Sequence, residues 1–137
     1  MRLISWFSGI ALATTLSGAA LADNLDCRNP QTQSDMTACE QQRQSDADAA
    51  LNVQYRKTRG AAVEIDKNLD ENLRGAEKAL VKAQRAWVDF RDGQCEASGF
   101  GMRGGSGEPM LVAGCTADLT DKRTAELKEL ADTFSGN

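Results

Sequence analysis

The apolar positions of this chain recur at helical spacing over three stretches. The clearest runs through Leu69, Leu73, Ala76, Leu80, Ala83, Trp87 and Phe90, at steps of 4, 3, 4, 3, 4 and 3. That spacing lays one apolar stripe along an α-helix, which can bury it only against other helices. Asn68 followed by Glu71 is a capping pattern, so this helix is expected over residues 68–95, about 40 Å at about 1.5 Å per residue. Upstream, Thr32 stands three residues before Asp35 and caps a first helix. Its stripe is Met36, Cys39, Ala47, Ala50, Leu51 and Tyr55, interrupted by Arg43, and it ends at Gly60 or continues through Ala62 and Ile65. Asp66-Lys67-Asn68 is the turn. A last helix is expected over about Thr116 to Thr133, with Leu119, Arg123, Leu127 and Leu130 on one face and Phe134 closing it. Between the second and third helices, residues 96–114 hold six of the twelve glycines and Pro109, a density that argues for a loop rather than a regular helix. No useful β-alternation occurs. The expected fold is all-α: a small three-helix up-down-up domain with a Gly-rich loop between helices 2 and 3.

The start of the chain reads differently. Arg2 is followed by an apolar run from Leu3 to Leu16 and by Ala20-Leu21-Ala22, the pattern of a cleavable signal peptide over residues 1–22. The domain is then 23–137, with 15 basic and 20 acidic residues, and export to the periplasm or medium is expected. Asp26 stands where a lipobox needs a small residue before Cys27, so a soluble exported form without stable membrane insertion is the reading. Net acidity disfavours nucleic acid or anionic lipid as bulk-charge partners and suits a basic protein.

The chain has no histidine, which excludes Ser-His and Cys-His nucleophile pairs and imidazole zinc sites. No cofactor or metal is implied. The carboxylates show no paired spacing and read as a solvated face. Aromatic residues make up only 5% of the chain, so the core is small and cross-links matter. Cys27, Cys39, Cys95 and Cys115 form an even set in an exported chain, which reads as two disulfides. In an up-down-up bundle all four gather at one pole with the Gly-rich loop, and that proximity leaves all three pairings open. Cys27–Cys39 with Cys95–Cys115 is favoured, because each closes a short local loop.

Trp87 and Phe90 read as core, one turn apart on the best helical face. Arg91 follows on the flank of that helix, and Arg123 falls on the apolar stripe of helix 3. Both read as structural, their guanidiniums meeting carboxylates or backbone carbonyls. The loop 96–114 is the candidate interaction element. Arg103, Ser106 and Glu108 are its polar handles, and Gly104 and Gly105 leave the backbone bare at its tip.

The order of motifs resembles the lysozyme inhibitor LprI-like family of small secreted bacterial proteins. The matching pieces are Met36-Thr37-Ala38-Cys39, Ala47-Asp48, Leu51 to Tyr55, and Ala83 to Asp92 with Cys95. Gly104-Gly105-Ser106, Pro109, Cys115, Leu119-Thr120 and Arg123 complete them. The resemblance implies an all-helical extracytoplasmic domain and a role as lysozyme inhibitor, with no enzyme activity of its own. On that reading the partner is a basic lysozyme (a muramidase), and the 96–114 loop occludes its cleft. The alternative is a structural or adaptor protein of the cell envelope without an enzyme target.

Overall fold

The computed structural model describes residues 25–136, so the signal-peptide expectation lies outside the described residues. Helix α1 spans Gln33–Asn68, α2 spans Ala76–Gly99 and α3 spans Glu108–Phe134, with short 3-10 turns at Glu71–Leu73 and Phe100–Met102. No strand occurs among the described residues. The all-α, three-helix, up-down-up fold is therefore as expected. Among the described residues no helix is long and apolar enough to cross a membrane.

Helix α1 starts where its capping box places it. The Thr32 hydroxyl accepts from the Asp35 N–H at 3.0 Å, and the Asp35 carboxylate accepts from the Thr32 N–H at 3.0 Å. It runs unbroken through Gly60 to Asn68, the longer of the two expected ends. Arg43, the interruption of its stripe, is a bridge to α3. Its guanidinium meets Glu40 and Asp118 and donates to the Gly114 carbonyl at 3.1 Å.

Helix α2 begins at Ala76, not at residue 68, and Asn68 is not its cap. The N-terminal donors are served from α1 instead. The Asp66 carboxylate accepts from the N–H groups of Gly75, Ala76 and Glu77 at 2.8, 2.9 and 3.0 Å. Those three bonds, the one from Gly75 foremost, hold the Asp66 carboxyl below its usual range. A single side chain thus closes the turn and caps the next helix.

The apolar stripe of α2 is only partly inside. Leu80 and Cys95 are buried and Trp87 packs on the core, whereas Leu73 is 61% and Phe90 56% exposed. Phe90 is therefore a surface residue, a correction to its reading as core. The inward row is Leu80, Gln84, Trp87, Arg91 and Cys95, which admits two polar side chains because each finds a partner. Arg91, its side chain 13% exposed, reaches Asp48 of α1 at 2.9 Å and Thr120 of α3 at 3.3 Å, and also pairs with Asp92. Arg123, similarly covered, reaches Gln84 at 3.0 Å and Glu126 at 2.9 Å. Both guanidiniums lie over the Trp87 ring, at 5.2 and 5.9 Å from its centroid. Trp87, Arg91 and Arg123 thus lie together between the helices.

Much of the remaining core is small. Ala47, Ala62, Ala113, Ala117, Thr58, Thr116 and Thr120 are buried, around Leu51, Leu80 and Leu127. Small side chains bring α1 and α3 close along parallel paths, and the Thr58 hydroxyl donates across the interface to the Leu127 carbonyl at 2.7 Å. Two disulfides, Cys27–Cys39 and Cys95–Cys115, complete the cross-linking in the favoured pairing. Loops of 12 and 20 residues are closed, worth roughly 3 kcal/mol each in chain-entropy terms.

Residues 96–114 are largely helical, contrary to expectation. Pro109 sits in the first turn of α3, where no N–H is missed. Gly99 and Gly114 stand where helices touch: a Cβ on Gly99 would lie 2.7 Å from Val112, and one on Gly114 3.2 Å from Glu40. Glycine here marks close helix approach rather than loop. The irregular segment shrinks to residues 100–107, and Cys95–Cys115 clamps two helices rather than the two ends of a loop.

Arg91→Ala should lower stability by about 2 kcal/mol in chemical denaturation, because Asp48 and the Thr120 hydroxyl lose their donor. Arg91→Lys should recover less than half of that, since one ammonium cannot serve Asp48, Asp92 and Thr120 together. The depressed Asp66 carboxyl stabilises the fold above the unfolded value of about 3.9 and loses that contribution as pH falls through the lower folded value. Asp66→Asn should therefore be less stable than the parent at neutral pH, with the gap closing below pH about 4. A gap independent of pH would contradict the assignment.

Candidate functional site

The pole where α2 ends and both α1 and α3 begin carries the irregular segment 100–107. Its shape follows from local hydrogen bonds. The Arg103 N–H donates to the Phe100 carbonyl at 3.3 Å, Gly105 to the Met102 carbonyl at 2.8 Å, and Glu108 to the Gly105 carbonyl at 3.2 Å. Gly104 turns the chain at φ 75°, a conformation that side chains rarely adopt. Glu108, at the start of α3, ties the tip down. Its carboxylate accepts from the Gly104 N–H at 2.8 Å and from Arg103 at 2.7 Å. The Gly104 bond first, and the Arg103 partner after it, hold the Glu108 carboxyl below its usual value despite partial desolvation. The Arg103 guanidinium also stacks over the Phe100 ring, 4.5 Å from its centroid.

Of the residues singled out in the sequence, Arg103, Gly104, Gly105 and Ser106 lie exposed together at this tip, and Glu108 sits half-buried at its base. Ser106 edges two shallow clefts. One is lined by Gln33 and the 100–107 segment, the other by Gln33, Ser34, Thr37, Ala38 and Gln41 of α1. The first two turns of α1 are thus part of the same surface, which the sequence reading missed. It also passed over Phe100 and gave Met102, within the tip, no contact role, although they are 57% and 47% exposed beside Arg103. The signal was available: large apolar residues set among glycines have no helical face to join.

The chain offers no histidine, and no free cysteine occurs among the described residues. What this pole presents is a pre-shaped tip with bare backbone groups, a guanidinium and two apolar side chains, suited to recognition of another molecule. The charge around it is uneven. Residues 25–53 and 86–120, the half of the bundle at this pole, hold ten acidic and four basic residues. Residues 54–85 and 121–136, the other half, hold nine and eleven.

Residues 27–127 match the family described as Lysozyme inhibitor LprI. An uncharacterized protein from Rhizobium meliloti (strain 1021) is 48% identical over 136 residues, covering 97% of this chain and 98% of that protein. No solved structure matches the chain. An all-helical fold with two disulfides and a sequence match across almost the whole described domain agree, and the chain belongs to the lysozyme inhibitor LprI family.

Proposed function

We propose that this protein is exported and inhibits a basic lysozyme by entering its substrate cleft with the 100–107 tip. The observation that carries this reading is the tip itself. Phe100, Met102 and Arg103 project from a segment held by Glu108 and by the helices that Cys95–Cys115 clamps, so little conformational freedom is lost on binding. Phe100 and Met102 supply apolar contact. Arg103 keeps N–H groups beyond the one that Glu108 takes, and these suit the carboxylates of a glycosidase cleft. The acidic half of the molecule surrounding the tip favours a cationic partner, chiefly through faster encounter.

The direct test is lysozyme activity on cell walls with the purified, oxidised protein, repeated at rising salt. Inhibition should saturate with protein and weaken as salt screens the encounter. Absence of inhibition at low salt would remove the lysozyme reading. The finer claim has its own test. Arg103→Ala with Ser106→Ala should raise the inhibition constant at least about tenfold, roughly 1.4 kcal/mol, while helicity and melting stay as they are. Full inhibition by that variant would sink the tip as the binding element.

A further inference from the structure

Helix α2 carries a second pattern that the bundle does not use. Lys78, Lys82, Arg85, Asp89, Asp92 and Glu96 follow at steps of 4, 3, 4, 3 and 4, and all six are exposed on one outward stripe. Three cations occupy its first half and three anions its second. Among the described residues, only Asp92 of the six has an ion-pair partner within 4 Å, namely Arg91.

This order has no stabilising role within the helix. Cations near the N-terminus and anions near the C-terminus oppose the helix dipole. Neighbours three and four apart on the stripe are like-charged except at Arg85 and Asp89, which weakens an isolated helix further. Apart from Arg91 beside Asp92, no charged complement to the stripe lies within 4 Å among the described residues. Beside it run Ala79, Ala83, Ala86 and Phe90, also exposed, which let another helix approach closely around one large apolar side chain.

The charge order identifies the occupant. Reversed end to end, the stripe is its own complement. In an antiparallel pair of α2 helices related by a two-fold axis at position 87, Lys78 faces Glu96, Lys82 faces Asp92 and Arg85 faces Asp89, each twice. A parallel pair would place like charges together. We propose that the outward face of α2 is a self-association surface, on which a second copy of this chain docks antiparallel. Such an interface is isologous and closes at two copies. Its ion pairs set orientation and register, while Phe90 and the alanines supply the buried apolar contact.

The arrangement leaves the 100–107 tips free. Gly99 lies twelve residues from the axis, about 18 Å of helix, so the two tips would sit about 36 Å apart at opposite ends.

The test is the oligomeric state of the oxidised chain, by sedimentation or light scattering, at about 10 mM and about 1 M salt, where the screening length falls from about 30 to 3 Å. A dimer is expected at low salt and about 100 μM protein, dissociating at least about tenfold more readily at high salt. Lys78→Glu with Arg85→Glu should be monomeric, as should Asp89→Lys with Glu96→Lys. Mixing the two sets should restore a one-to-one dimer, and Phe90→Ser should weaken the parent dimer. A parent monomeric at low salt overturns the proposal. So does a dimer indifferent to salt, or charge variants that fail to pair when mixed. The salt titration of the parent decides the matter even if a variant folds poorly. Lysozyme inhibition plays no part in the readout.

Discussion

Arg91 is the side chain on which the three helices meet. It leaves α2, lies over the Trp87 ring, reaches Asp48 on α1 and Thr120 on α3, and is almost covered. A guanidinium taken from water needs all its strong partners, and it can have them only if the three helices hold one register. The cation thus fixes alignment that a core of small residues could not. Arg123 repeats the device one level up, linking α3 to Gln84 of α2 over the same ring.

The rest of the packing depends on that alignment. Alanine and threonine dominate the buried set, so apolar transfer contributes less than in a leucine-rich bundle of this size. Compensation comes from close backbone approach, from the Thr58 hydrogen bond between helices, and from two cross-links at one pole. No buried side-chain polar atom is left without a partner among the described residues, as a small core with several polar members requires.

The two ends of the bundle serve different ends of the physics. At one, Asp66 closes a short turn by serving three backbone donors. At the other, the cross-linked helix ends hold a short segment whose apolar and basic side chains have no place inside. The proposed contact with a lysozyme is assigned to that second pole. The outward face of α2, with its reversed charge order, is a separate surface spanning both halves.

The sequence by itself determined that three helices form and that Thr32 caps α1, while it favoured local cysteine pairing over two open alternatives and read Trp87, Arg91 and Arg123 as structural. These are decided by contacts within a few residues or by side chains whose burial leaves few alternatives. Only the tertiary structure decided which side of α2 faces inward. Two helices share its contacts, and the row through Gln84 and Arg91 is better served by Arg123, Asp48 and Thr120 than the row through Ala83 and Phe90 would be. Likewise, Gly99 and Gly114 look like loop residues until α3 and α1 arrive beside them, and Asp66 looks like a turn residue until α2 folds back onto its carboxylate. In each case the deciding partner is distant along the chain or is a backbone group, and a local pattern carries no record of either.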